Sequence, residues 1–157
     1  NYDIPRDEME MKWLQKADQE NLPVFAICRG AQLMNVVNNG TLFMDISRAY
    51  PGTRYPESIL GYAFFRKKIN VMQDSLLHQI FKKEELMVNS LHKQSVDKVG
   101  DGLQVTAREP NGIVQAIENP GHPFYLGVQF HPELLIYQSA FRSFFRKFIG
   151  AARARMD

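Results

Sequence analysis

Hydrophobic and polar positions along the chain predict alternating helices and strands. Residues 5–20 carry apolar side chains at helical spacing, with Met9, Trp13, Leu14 and Ala17 on the side expected to be buried. The apolar run 24–27 predicts a strand. A second helical pattern begins directly after it and ends at Asn39-Gly40. The order helix, strand, helix is typical of an α/β fold with a parallel sheet covered on both faces.

The second half of the chain predicts strands and a final helix. Alternating runs at 103–109 and 113–118 flank a Pro-Asn-Gly turn and predict a β-hairpin. The continuous apolar run 124–130 predicts a buried strand that stops at His131-Pro132-Glu133. Residues 134–155 predict a long amphipathic helix.

Shorter elements are expected between these two regions. Residues 62–71 predict a strand with Lys67 and Lys68 on its polar side, and 75–81 predict a short helix. The segment 47–61 is long for a plain connection, so it is either a lid or substrate wall or an irregular surface loop.

Composition and charge narrow the class of protein. A chain of 157 residues with 45% hydrophobic and 23% charged positions fits one globular domain. A net charge of +2 argues against nucleic acid or a membrane surface as a partner. No apolar run has the length of a membrane span. A single cysteine excludes an internal disulfide and favours a reducing, cytoplasmic location.

That single cysteine, Cys28, lies where the first strand meets the second helix. A sharp strand-to-helix turn exposes such a residue at the end of a sheet, and the helix dipole favours its thiolate. The strand at 124–130 likewise ends in His131. If the two strands are parallel neighbours, thiol and imidazole share one sheet edge, where α/β folds bind ligands. His131 can then take the thiol proton, and Glu133 can orient the imidazole.

Structural interpretations compete with this chemistry. A lone cysteine on a strand is commonly a small core residue. The His131-Pro132-Glu133 segment on its own is equally well a turn with a capping acid before a helix. A zinc site is disfavoured because one cysteine and four scattered histidines give no ligand spacing.

Four segments of the chain carry family-like motifs: 23–32, 40–46, 88–94 and 126–133. Together they resemble the class I glutamine amidotransferase superfamily, and more narrowly its peptidase C26 branch of γ-glutamyl-γ-aminobutyrate hydrolase-like proteins. Arg29 after the cysteine, and Arg6-Asp7 with Glu10 upstream, also resemble that branch. The family usually has glycine where this chain has Ala26.

The resemblance implies a fold and a set of site residues. The fold is a flavodoxin-like open, mostly parallel sheet with helices on both faces and an antiparallel hairpin. Residues 1–157 would form a single domain, the C-terminal two-thirds or so of the family domain, without its first βα units. The implied catalytic residues are Cys28 as nucleophile, His131 as general base and then acid, and Glu133 as its orienter. The implied substrate-binding residues are Arg29, Gln32, His92 and Gln94.

The implied activity is hydrolysis of γ-glutamyl amide bonds through a thioester, without a metal or organic cofactor. An N-terminal segment of the same protein, carrying a Gly-Gly loop with an oxyanion donor, is expected to complete the site. Two alternatives stay open: a glutaminase domain that delivers ammonia to a synthetase partner, and a non-catalytic binding domain of the same fold. The sequence does not specify which amine leaves. It does not specify the oligomeric state either, and a homo-oligomer stays open.

Overall fold

The computed structural model describes residues 3–53, 61 and 64–156 of the chain. The helices are α1 (Ile4–Gln19), α2 (Arg29–Val37), α3 (Ile46–Ala49), α4 (Leu76–Phe81) and α5 (Ser139–Ala154), with a 3₁₀ turn at Pro132–Leu135. The strands are β1 (Val24–Ile27), β2 (Leu42–Phe43), β3 (Lys67–Val71), β4 (Glu85–Val88), β5 (Ser95–Val96), β6 (Gln104–Arg108), β7 (Val114–Glu118) and β8 (Tyr125–Val128).

Six of the described strands form one open sheet in the order β1-β8-β7-β6-β3-β4, and β2 pairs with β5 separately. The predicted α/β fold and the β6–β7 hairpin are confirmed. The sheet is mixed, however, since only the β1–β8 pair is parallel among these strands. The expectation of a mostly parallel sheet does not hold for the described strands. Short turns join β6 to β7 and β7 to β8. A short turn reverses the chain and so makes the two strands antiparallel, whereas a parallel pair needs a long crossover.

Helices cover both faces of the sheet, because the strands alternate their side chains between two cores. On one face, Phe25 of β1 stacks on Phe144 of α5 with ring centroids 5.1 Å apart. On the other face, Met34 of α2 packs with Ala26 and Tyr125. The sheet edge that carries Cys28 is thus held between α2 and α5.

The close approach of α2 to the sheet depends on Gly127. A Cβ at this position would lie 3.0 Å from Met34 Sδ and 3.1 Å from Ala31 Cβ, closer than packed carbons tolerate. Glycine at this point of β8 lets α2 lie directly on the strand. This contact sets the direction in which α2 leaves β1.

Four local expectations are wrong. On α1, Leu14 is buried, but Met9 is 53% exposed and Trp13 is 61% exposed, so the buried stripe is narrower than predicted. Lys67 and Lys68 do not share one polar side, because neighbouring strand residues point to opposite faces.

The predicted helix at 134–155 is divided into the 3₁₀ turn and α5, and the intervening residues 136–138 are not helical. Within the predicted strand 62–71, β3 begins only at Lys67. Residues 54–60 of the segment 47–61 lie outside the described part, so its role as lid or wall stays a prediction. None of the helices in the described ranges is long and apolar enough to cross a membrane.

Candidate active site

Cys28 forms the predicted sharp turn between β1 and α2. Its backbone has φ 52° and ψ −106°, a conformation that residues other than glycine rarely adopt. The strained residue is held from both sides: its N–H donates to Val128 O over 2.7 Å, and its carbonyl accepts from Gln32 N over 3.2 Å. The turn leaves the thiol partly exposed.

Ala26 fits this turn although the family usually has glycine there. Its side chain is buried against α2. Even a Cβ added at Gly30 would lie 3.5 Å from the Ala26 Cβ, an ordinary van der Waals distance. The extra methyl group of Ala26 is therefore accommodated without a close contact at Gly30.

His131 lies at the same sheet edge as Cys28, because β1 and β8 are parallel neighbours with Ile27 opposite Val128. Asn89 holds the backbone of His131 on both sides: its Oδ1 accepts from the His131 N–H over 3.1 Å, and its Nδ2 donates to the His131 carbonyl over 3.0 Å. This clamp fixes the point where the chain leaves β8.

The imidazole of His131 contacts both predicted partners. Its Nδ1 lies 2.7 Å from Glu133 Oε1, and Cys28 is near enough to the ring to influence its pKa. The interaction with Cys28 is the largest cause that raises the pKa of His131, the hydrogen bond with Glu133 adds to it, and burial opposes both. Together these effects raise the pKa of His131 to about 9. This geometry suits a thiolate–imidazolium pair.

Gln32, His92 and Gln94 also come together in the structure. The Gln32 Nε2 donates to the backbone carbonyl of Gln94 over 3.1 Å, and His92 Nδ1 is in hydrogen-bond contact with the same carbonyl. Gln94 therefore contributes its main chain to this group, while its side chain lies 3.6 Å from Met44 Sδ. Contact of these residues with a substrate stays a prediction.

Arg29 lies apart from that group. Its Nε donates to Asp7 Oδ1 over 2.6 Å, and its Nη2 contacts the other carboxylate oxygen. This hydrogen-bonded ion pair raises the pKa of Arg29 and lowers that of Asp7. The guanidinium joins α1 to the start of α2, which explains why Arg6-Asp7 and Arg29 occur together in the motif. A substrate contact by the Arg29 side chain stays a prediction.

Gln129 is a site residue that the sequence reasoning missed. Its Nε2 lies 3.5 Å from Cys28 Sγ, and its Oε1 accepts from Gln32 Nε2 over 3.0 Å. The available signal was a polar side chain inside the apolar run 124–130, two residues before His131. This amide presents an N–H to the sulfur and supports negative charge there.

No group of three His, Cys, Asp or Glu side chains suited to a metal ion occurs within the described ranges. The chemistry that these side chains can perform is nucleophilic attack by sulfur with proton transfer through an imidazole.

Comparison with known proteins identifies relatives. The family model for peptidase C26 matches residues 1–133. The γ-glutamyl-γ-aminobutyrate hydrolase PuuD of Escherichia coli K12 is 34% identical over 136 residues, covering 83% of this chain and 54% of that protein. The glutamine amidotransferase-like protein YvdE of Lactococcus lactis is 37% identical over 128 residues, covering 82% of this chain and 53% of that protein. The chain spans about half the length of these relatives.

A solved structure shows the same fold. It is a Thermoplasma acidophilum protein provisionally assigned to GMP synthase as one of its subunits, with a TM-score of 0.70 and 21% identity over 95% of this chain and 66% of that one. At this identity the likeness concerns the fold alone.

Proposed function

Because the chain belongs to the peptidase C26 family, we propose that it is a cysteine-dependent hydrolase of γ-glutamyl amide bonds. The family supports a hydrolase or amidotransferase-like enzyme, and the relatives include a γ-glutamyl-γ-aminobutyrate hydrolase. The single observation that carries the finer proposal is that the parallel pairing of β1 with β8 brings Cys28 and His131 to one sheet edge, where Glu133 Oε1 lies 2.7 Å from Nδ1 of the imidazole.

The reaction has two steps. In the first, the Cys28 thiolate forms a C–S bond to the γ-carbonyl carbon, and the His131 imidazolium gives its proton to the leaving amine as the C–N bond breaks. In the second, neutral His131 takes a proton from water, the hydroxide adds to the thioester carbon, and the C–S bond breaks. Glutamate leaves as the acid product, and the thiolate–imidazolium pair returns. Glu133 keeps the Nδ1 proton of His131 in place throughout.

The backbone N–H of Arg29 is the proposed oxyanion donor within this chain. Arg29 is the first residue of α2, where backbone N–H groups lack an acceptor within the helix. One such donor typically contributes about 3 kcal/mol to transition-state stabilisation. Gln32, His92 and the Gln94 carbonyl form the proposed wall for the γ-glutamyl group, and the strained backbone of Cys28 aims the sulfur toward it.

We propose that an upstream segment of the full-length protein completes the site. This chain covers 54% and 53% of the length of the two relatives. β1 is the edge strand among the described strands of its sheet, and a cavity of about 430 Å³ lined by Trp13 and Leu14 lies beside it. A strand added along β1 would fill this space, and its following loop would bring a second oxyanion donor near Cys28. The proposed location of the enzyme is the cytoplasm.

Alkylation of Cys28 by iodoacetamide tests the proposal without needing the upstream segment. At pH 7 the wild-type thiol should react much faster than free cysteine, and this excess should disappear in His131→Ala. A wild-type rate equal to that of free cysteine would leave the non-catalytic binding domain as the better interpretation.

Turnover by the full-length protein then identifies the reaction. We expect hydrolysis of γ-glutamyl-γ-aminobutyrate, with Cys28→Ser inactive as the control. A marked preference for glutamine that appears only with a synthetase partner would favour the glutaminase alternative.

A further inference from the structure

A buried ion pair lies in the sheet near the candidate site, and the proposed reaction does not use it. Lys67 Nζ lies 2.8 Å from Glu109 Oε1, and the Glu109 side chain is 1% exposed against 19% for Lys67. Lys67 begins β3 and Glu109 directly follows β6, the antiparallel neighbour of β3. A buried carboxylate is costly unless a cation and further hydrogen bonds compensate it. The partner of the second Glu109 oxygen is therefore informative.

Glu109 determines which way the amide of Gln115 is turned. Gln115 is fully buried on β7, and its Nε2 donates to Glu109 Oε2 over 2.9 Å. An ionised carboxylate only accepts hydrogen bonds, so the amide must turn its NH₂ group toward it. In this orientation the Gln115 Oε1 is buried without a hydrogen-bond partner among the described residues. The carboxylate, rather than the surroundings of the amide oxygen, selects the orientation.

The oriented amide faces His92. Nε2 of Gln115 lies 2.8 Å from Ser90 Oγ and 3.4 Å from His92 Nε2. The two hydrogens of this NH₂ group are donated to Glu109 Oε2 and Ser90 Oγ, and the nitrogen faces His92 Nε2 at the longer distance. Because an amide nitrogen does not accept a hydrogen bond, an N–H on Nε2 would be repelled here, and the ring proton belongs on Nδ1. Nδ1 in turn contacts the Gln94 carbonyl, which can only accept a hydrogen bond. Both neighbours require the same tautomer, and burial lowers the pKa of His92 to about 4, so the ring stays neutral.

The Gln94 carbonyl connects His92 to the sulfur. It also accepts from Gln32 Nε2 over 3.1 Å, and that amide donates to Gln129 Oε1 over 3.0 Å. The NH₂ group of Gln129 then faces Cys28 Sγ over 3.5 Å. The opposite tautomer of His92 would set an imidazole lone pair against the carbonyl oxygen and push the two apart.

We propose that Glu109 is a positioning residue: through Gln115 it holds His92 as the Nδ1–H tautomer and thereby fixes the Gln94 carbonyl beside Gln32. Lys67 supplies the charge that compensates the buried carboxylate. The tautomer claim depends on geometry alone, whereas the effect on γ-glutamyl binding rests on the proposed function. The two claims therefore need separate measurements.

The tautomer is measured by long-range ¹H–¹⁵N correlation spectra of histidine-labelled protein, with His92→Gln to assign the signal. We expect wild-type His92 to carry its proton on Nδ1 alone. In Glu109→Gln the introduced amide can donate or accept, so Gln115 can turn over, and a second His92 population with Nε2–H should appear. The matched control is Glu85→Gln, which removes the exposed ion pair between Glu85 and Lys68 on the same sheet and should leave the tautomer unchanged.

A second variant separates positioning from loss of folding. Lys67→Met combined with Glu109→Gln removes both charges of this pair, and it should show the same mixed tautomer. If His92 stays wholly Nδ1–H in either folded variant, the proposal is overturned.

Kinetics on the full-length protein test the consequence for the pocket. For Glu109→Gln we expect about tenfold higher KM for the γ-glutamyl substrate, which corresponds to the loss of roughly one hydrogen bond. An unchanged KM would overturn the link to the pocket. If the wild type hydrolyses no γ-glutamyl amide, the proposed function fails, while the tautomer measurement still decides the role of Glu109.

Discussion

The influence of Cys28 on the pKa of His131 predicts how the imidazole responds when the sulfur is removed. In the wild type the pKa of His131 is raised from 6.5 to about 9, with the contact to Cys28 as the largest cause. In Cys28→Ala we therefore expect the pKa of His131 to fall most of the way back toward 6.5. Glu133→Gln should lower it by less, because the Glu133 hydrogen bond is the smaller of the two.

The magnitude follows from the size of the shift. A pKa raised from 6.5 to about 9 corresponds to roughly 3 kcal/mol in favour of the imidazolium. The side chain is 30% exposed, and solvent screening reduces the contribution to about 1–2 kcal/mol. Because the pKa is higher in the folded protein than in the unfolded chain, this stabilisation is fully present below about pH 6.5 and is lost as the pH rises through about 9.

The assay is a titration of the histidine ring signals by NMR in the wild type and both variants. His122, whose pKa burial lowers, serves as the internal control and should titrate below 6.5 in all three proteins. The two coupled groups titrate together, so the wild-type curve reports the pair. A wild-type His131 that titrates near 6.5, or a pKa near 9 that persists in Cys28→Ala, would refute the reasoning.

Three further predictions concern neighbouring features. Gly127→Ala places a Cβ 3.0 Å from a sulfur of α2, and we expect it to lower the free energy of unfolding by about 1–3 kcal/mol in urea denaturation. Gly150→Ala on α5, where an added Cβ meets nothing within 4 Å, should be neutral or slightly stabilising. Asp7→Asn weakens the ion pair between α1 and α2 and should lower the free energy of unfolding by about 1 kcal/mol or less, with the alkylation rate kept. Gln129→Met removes the N–H that faces the sulfur and should slow the alkylation of Cys28 by a few-fold at pH 7, as measured by mass spectrometry.

The candidate site was predictable where its signal was local. Cys28 stands at the boundary between a strand pattern and a helix pattern, so the sharp turn followed from the order of residues along the chain. The turn at Pro110–Gly112 was equally local, and it fixed the β6–β7 hairpin. Pairing of β1 with β8 was inferred from chemistry rather than from pattern, since the two strands are about a hundred residues apart.

The parts that sequence reasoning missed depend on contacts across strands. The ion pair between Lys67 and Glu109 joins residues that each look like ordinary polar positions of a strand edge. Helical spacing predicted burial of Trp13, but it cannot tell which side of an apolar stripe meets a neighbour, and 61% of this residue is exposed. Such outcomes are set by the order of the strands, which the local pattern does not contain.

The register between β1 and β8 is what makes the candidate site a property of the whole fold. Ile27 lies opposite Val128, and the Cys28 N–H continues the ladder to the Val128 carbonyl. A slip of one residue would turn every side chain of β8 to the other face and carry Gln129 away from the sulfur. Gly127 opposes such a slip, because a larger residue of β8 in its place would crowd α2. The same register of β8 therefore buries the core and brings the imidazole to the thiol. A variant that shifts β8 should lose stability and thiol reactivity together.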